Sequence, residues 1–179
     1  MSPCPADTAA IGTDPRLASG DVVVVWKAER RIGHYENGRL SHTEAGPGCW
    51  TVALAPGAPP GPKRREGDLR TPEGWYRTSD KPTSRFPLAI AVHYPNLADA
   101  HRGLTDAVID AVTRDQIAGA LAAGQKPPQA TSLGGEILIH GGGSASDWTI
   151  GCIALDTADL ADLRSRLPVN LAFAVLILP

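Results

Sequence analysis

Apolar positions fall mostly in short runs bounded by turn residues, the pattern of strands. Residues 21–27 (DVVVVWK) are β-branched and aromatic and predict a largely buried strand, and residues 30–36 predict a second. Asn37-Gly38 is a two-residue hairpin signal leading to a third strand at residues 39–43. Further strands are expected at residues 50–55, 75–78, 87–94, 136–140 and 171–177, with Pro95-Asn96 ending the run at 87–94 and residues 56–62 (PGAPPGP) forming a loop. Two stretches take the helical period instead. Thr113 followed by Gln116 reads as a capping box, with Ile117, Ala120 and Leu121 on one face and Gly124 as the stop. Asp156 or Thr157 is placed to cap a last helix whose Leu160, Leu163 and Leu167 face the core. Residues 1–19 show no periodicity and predict a loose N-terminal arm, leaving one catalytic-size domain over residues 20–179.

Composition narrows this picture. With 179 residues, no internal repeat and no dividing linker, the chain is expected to form a single domain. Its 19 glycines and 16 prolines argue for a turn-rich, strand-rich fold and against a helical bundle. The 17 basic and 19 acidic residues give no general attraction to nucleic acid or to anionic lipid, so recognition has to be local. The longest apolar run, residues 171–178, has eight residues, against roughly 18 for a membrane span, so no membrane insertion is expected. The first 25 residues hold Asp7 and Asp14, no basic residue before Arg16 and no apolar core, and so carry no export signal as written. Three cysteines, Cys4, Cys49 and Cys152, cannot all pair within one chain, so at least one free thiol is expected. Cys4 reads as incidental to the arm and Cys49, without a base nearby in sequence, as structural.

The densest chemistry lies in residues 139–155, IHGGGSASDWTIGCIAL. A histidine at a strand end, a glycine-rich loop and a cysteine preceded by glycine are the parts of thiol-based acyl transfer. Cys152 would be the nucleophile and His140, twelve positions earlier, the base that removes its proton and stabilises the thiolate. The backbone N–H groups of Gly151 and Cys152, with Ile150 as a third, could bind an oxyanion. The competing structural reading makes Cys152 a small core residue and His140 a satisfied strand-end side chain. No G-x-S-x-G elbow, Walker loop or complete G-x-G-x-x-G is present, and His140, Cys152 and His93 lack metal-ligand spacing, so neither metal nor cofactor is expected.

The ordered motifs KRREGDLRTPEGWY (residues 63–76), HYPN (93–96), ILIHG (137–141) and DWTIGCIAL (147–155) resemble the L,D-transpeptidase catalytic domain of the YkuD type over about residues 21–178. The resemblance implies a mainly β fold with a few helices, sandwich- or barrel-like. It implies acyl transfer on peptidoglycan stem peptides in cell-wall biogenesis, in the periplasm or cell envelope: a cysteine attacks the carbonyl of a diaminopimelate residue, expels D-alanine, and the thioester passes to an amine or to water. Carried over by position, Cys152 is the nucleophile, His140 the acid/base and Gly151 part of the oxyanion site, supported by Gly141 and Ile150, while Thr149 takes the place of the motif's hydroxyl residue and orients the loop or the base. Ile150 and Ala154 stand where many members have histidine and arginine, so the arginine that would bind a substrate carboxylate is lacking. Related branches hydrolyse the same bond types, which keeps L,D-carboxypeptidase and amidase as alternatives, with a non-catalytic wall-binding module as a third.

Substrate contacts are expected from Lys63 and Arg70, with Arg64 and Arg65, attracting the carboxylates of an acidic peptide. Tyr94 and Trp148 are candidates to line the pocket, and Gly67, Thr71, Pro72 and Gly74 read as turn residues. Oligomeric state has no signal in the sequence.

Overall fold

Val22, Val23, Val24 and Val25 are all buried, so the first strand must be covered on both faces. Val23 and Val25 point into the main core, whereas Val22 and Val24 pack with Leu17, Tyr35 and Leu176 in a second cluster. The computed structural model describes residues 3–179. Its elements are β1 (Asp21–Trp26), β2 (Arg31–Glu36), β3 (Arg39–Leu40), β4 (His42–Thr43), β5 (Gly46–Pro47), β6 (Cys49–Thr51), β7 (Gly74–Asp80), β8 (Ile90–Val92), α1 (Leu97–Thr105), α2 (Ala111–Ala122), β9 (Leu138–His140), β10 (Ile153–Ala154), α3 (Thr157–Arg166) and β11 (Ala174–Leu178).

The main sheet runs β10-β9-β8-β7-β11-β1-β2-β3, with β6 also paired to β2 and with β4 and β5 forming a separate two-stranded ribbon. Two of its pairings are parallel, β1 with β11 and β9 with β10. The sheet curls until its ends meet: Ala53, just past β6, exchanges both backbone hydrogen bonds with Ala154 of β10, at 2.8 and 3.0 Å. The result is a mainly β half-barrel with three helices around a core that includes Ile32, Ile90, Ile139, Ile153, Leu160 and Leu163.

Several elements differ from expectation. The strand expected over residues 39–43 divides at Ser41, whose N–H turns to the His34 carbonyl and whose carbonyl takes the Gly48 N–H. Helix α1 is unpredicted. Asn96, expected only to end a strand, caps it through a reciprocal box in which its side chain accepts from Asp99 N–H at 2.8 Å and Asp99 accepts from Asn96 N–H at 3.0 Å. The N-cap of helix α2 lies three residues before the expected one: Asp110, not Thr113, caps it and accepts from Thr113 N–H at 2.8 Å.

Residues 3–19, expected as a loose arm, supply the cover over the second face of β1; residues 1 and 2 lie outside the described residues. Leu17 and Thr8 are buried, and Leu40 N–H donates to Ala6 carbonyl at 2.9 Å. Cys4 is not incidental: it forms a disulfide with Cys49 across 45 residues, leaving Cys152 as the free cysteine. Closing a loop of that length in the unfolded chain stabilises the fold by about 4 kcal/mol in the chain-entropy picture. The double substitution C4A/C49A should therefore lower the unfolding free energy in urea by about 3–4 kcal/mol. An unchanged urea midpoint would mean that the bond constrains nothing the fold needs.

Candidate active site

Parallel pairing explains how residues twelve positions apart come together. In the β9/β10 register Ile153 lies beside Ile139 and Ala154 beside His140, which sets Cys152 beside Leu138. With the two-residue period, Leu138, His140 and Cys152 share one face, and Cys152 and His140 become diagonal neighbours, about 7–8 Å apart and within reach of long side chains. The Cys152 sulfur accepts from Leu138 N–H at 3.4 Å and donates to the Glu136 carbonyl at 3.5 Å. In this resting arrangement the S–H bond points along β9, so the thiol must rotate to meet the imidazole.

His140 ends β9 almost fully buried. Its Nδ1 lies 2.7 Å from the Gly141 carbonyl, an acceptor only, so Nδ1 carries the proton of the neutral ring and Nε2 is left as the base. Phe86 stacks on the imidazole at 4.2 Å and Trp148 meets it edge-on at 5.4 Å, fixing the ring plane. Gly141 has to be glycine here, because a Cβ would lie 2.8 Å from Thr157 Oγ1 and 3.2 Å from Pro87.

The loop before Cys152 is held at four points. Trp148 and Thr149 both donate their N–H groups to the Leu54 carbonyl, at 2.9 and 3.0 Å. Asp147 binds the Arg30 guanidinium at 2.7 Å and accepts from Leu54 N–H at 2.8 Å. Thr149 Oγ1 donates to the Cys152 carbonyl at 2.8 Å and accepts from Gly151 N–H at 3.3 Å, so it orients the loop and not the base. That bond draws on the Gly151 N–H expected for the oxyanion and makes the Cys152 N–H the stronger donor. Gly151 itself has φ +136°, and a Cβ would lie 3.1 Å from the Arg70 carbonyl, so both conformation and space call for glycine. Asp156 stands at the N-cap of α3 but spends its carboxylate on Ser144 N–H, at 2.8 Å, tying the glycine loop to the helix instead.

Cys152, His140, Trp148, Thr149 and Ile150 line one cavity of about 790 Å³, to which Lys63 and Phe86 also contribute. Ile150 stands at its rim, 77% exposed, whereas Ala154 is buried within β10. Three of the expected substrate contacts are corrected. Lys63 lines the cavity but is buried, with its ammonium bound to Asp68 at 2.9 Å and to the Arg65 carbonyl at 3.0 Å, so its charge serves its own loop. Arg70 faces a second cavity, of about 380 Å³, beside Lys27 and Glu73. Tyr94 is a core residue, fully buried, whose hydroxyl donates to the Leu133 carbonyl at 2.9 Å. Asp147, Arg30 and Phe86 were missed; the first two act across 117 residues, and local pattern carries no trace of such a pair.

Burial pushes the Cys152 thiol above the ordinary value, the Leu138 N–H opposing it. Burial likewise lowers the His140 imidazole, against the Gly141 hydrogen bond. Both shifts favour a neutral thiol beside a neutral imidazole, the opposite direction to the expected thiolate stabilised by histidine. Among the described residues, no group of three or more His, Cys, Asp or Glu side chains is placed to hold a metal ion, and no helix is long and apolar enough to cross a membrane.

The family model for the YkuD L,D-transpeptidase catalytic domain matches residues 20–176. A single-residue variant of the helical cell shape determining protein Pgp2 from Campylobacter jejuni superimposes with a TM-score of 0.54 at 25% identity, covering 88% of this chain and 46% of that one. Bd1075 of Bdellovibrio bacteriovorus shares the fold, with a TM-score of 0.52 at 18% identity over 98% of this chain and 53% of its own. A 46-residue stretch is 46% identical to YafK of Escherichia coli (strain K12), a candidate L,D-transpeptidase, covering 24% of this chain and 19% of that protein. The chain thus spans about half the length of the matched structures and a smaller share of YafK.

Two outcomes follow from this geometry. Alkylation of Cys152 by iodoacetamide in the resting protein should be slow at neutral pH and climb only above the ordinary thiol value of 9.0, because thiolate appears only there. A rate already at its plateau at pH 7 would mean a preformed thiolate. Asp147→Ala, which frees Arg30 and orphans the Leu54 N–H, should lower the unfolding free energy by about 1–2 kcal/mol and the acylation rate more than tenfold. Full acylation in that variant would show that the loop keeps its shape without the clamp.

Proposed function

The chain belongs to the YkuD family of L,D-transpeptidase catalytic domains, and from that premise we propose that it is a cysteine-dependent L,D-transpeptidase acting on peptidoglycan stem peptides. The observation that carries this reading is the pairing of Cys152 with His140 on one face of the β9/β10 pair, inside one cavity, with the imidazole proton held at Nδ1 by Gly141. Nε2 of His140 takes the thiol proton as the sulfur attacks the carbonyl carbon of the diaminopimelate residue. The carbonyl oxygen becomes an oxyanion facing the Cys152 N–H, the role of Gly151 being to let the substrate approach. Collapse of the tetrahedral intermediate breaks the C–N bond, and Nε2–H returns its proton to the departing D-alanine amine. The thioester on Cys152 is then attacked by an acceptor amine, giving the cross-link, with His140 again taking the proton.

Hydrolysis of the thioester is the competing fate, and the exposed rim at Trp148 and Ile150, which admits water, supports it. A role in maintaining cell-wall form is consistent with the likeness to Pgp2, which is described as a cell shape determinant.

The test is a diaminopimelate-containing tetrapeptide given alone and then with a diaminopimelate-bearing acceptor, followed by mass spectrometry. The expected result is a thioester on Cys152, D-alanine release and a cross-linked dimer only when acceptor is present, all lost in Cys152→Ala and reduced at least a hundredfold in His140→Ala. Tripeptide in both cases would make the protein a carboxypeptidase. Neither acyl-enzyme nor product, together with unchanged pelleting on purified sacculi by Cys152→Ala, would make it a wall-binding module.

A further inference from the structure

Three cations line the Cys152 cavity: Lys63, Lys81 and Arg85. Lys63 is bound to Asp68 at 2.9 Å and Lys81 to Glu136 at 3.1 Å. Arg85 has no carboxylate partner among the described residues. It is nonetheless placed: its guanidinium carbon lies 5.0 Å from the centre of the Phe86 ring, and the same ring stacks on His140 at 4.2 Å. Glu66 adds a further negative charge to the cavity wall, which makes an unpaired cation the more necessary if an anionic donor is to enter.

The position of Arg85 relative to His140 says which part of the donor it meets. An imidazole that protonates the departing amine stands on the leaving-group side of the scissile carbonyl. When the scissile bond is the last peptide bond of the stem, the departing residue carries its carboxylate on the carbon next to that amine, within one residue's span of about 3.8 Å. We propose that Arg85 binds this terminal carboxylate, and so restricts the enzyme to donors whose scissile bond is the C-terminal one. A guanidinium and a carboxylate form two parallel charge-assisted hydrogen bonds, a geometry that an amide or an internal residue cannot reproduce. The assignment rests on Cys152 being the acylated nucleophile. It favours exchange or release of a terminal D-amino acid over cleavage of internal amide bonds.

Two tetrapeptide donors that differ only at the C-terminus, free acid against amide, provide the test, with acylation of Cys152 read by intact-protein mass spectrometry. The wild type should prefer the acid about tenfold in kcat/KM, mostly through KM, as expected for a lost charge-assisted contact. In Arg85→Gln the preference should fall to near unity, and Arg85→Lys should restore part of it. Equal use of both donors by the wild type, or a preference that survives in Arg85→Gln, would overturn the assignment while leaving Cys152 as nucleophile. If Arg85→Gln slows both donors by the same factor, Arg85 merely props Phe86 against His140, and the proposal fails on that ground. Absence of acyl-enzyme with either donor overturns the nucleophile reading and this one with it.

Discussion

The closure of the curled sheet between Ala53 and Ala154 is the constraint on which the site depends. β10 is only two residues long and follows a loop that opens on GGGSAS, so nothing in its own length would hold Cys152 at a fixed height beside β9. Two backbone hydrogen bonds contribute about 1 kcal/mol each, too little to hold Cys152 in place against chain entropy. The extra restraint comes from side chains and carbonyls on the same closing strand: Leu54 takes two N–H groups from Trp148 and Thr149, and returns its own N–H to Asp147. The barrel seam and the active-site loop are therefore one structure. Loss of the seam would leave Cys152 on a free edge.

Burial has a second consequence. Phe86 and Trp148 pack on the buried His140 imidazole, and Phe86 and Leu138 pack in one cluster with Cys152. Burial raises the thiol and lowers the imidazole, and both directions disfavour the separated thiolate–imidazolium pair. In the mechanism proposed above, charge then develops only as the proton moves to Nε2 and the sulfur closes on a carbonyl, with the Cys152 N–H facing the new oxyanion. The proton in transit stays close to the electrons it left, so no isolated buried charge has to be stabilised. A resting thiol of this kind is also less open to oxidation than an activated thiolate, which suits a free cysteine in a chain whose other two cysteines are joined.

What could be read in advance was whatever the chain encodes locally. The valine run, the Asn37-Gly38 turn and the strand ending in His140 are short-range patterns, and the structure keeps each of them within a few residues. The Cys152–His140 pairing was legible because glycine, cysteine and histidine cluster within a single loop. The rest is long-range. Cys4 and Cys49 pair across 45 residues because the N-terminal segment is needed to cover the second face of β1, a demand visible only once both faces of that strand are known to be buried. Asn96 and Asp99 do form a local box, but with an aspartate in place of the longer glutamate or glutamine that the pattern normally takes, and they cap a helix hidden behind Pro95.

The segment from Lys63 to Tyr76 shows why a count of charges is a poor guide to binding. Its four basic residues suggested a docking surface, yet the loop turns its chemistry inward. Lys63 and the N–H groups of Arg64 and Arg65 converge on Asp68, which folds the loop around one carboxylate. Beyond that knot, the Arg70 carbonyl abuts Gly151 and Thr71 Oγ1 donates to the Gly151 carbonyl at 3.0 Å. The loop thus acts as a backstop to the turn before Cys152, while Lys63, Glu66, Gly67 and Leu69 of the same loop form part of the cavity wall. Of its four cations only Lys63 lines the cavity, and its ammonium is paired with Asp68. The cation of the cavity wall that has no carboxylate partner among the described residues is instead Arg85, stacked on the Phe86 ring that also packs on His140, and the proposed recognition of an anionic donor rests on it.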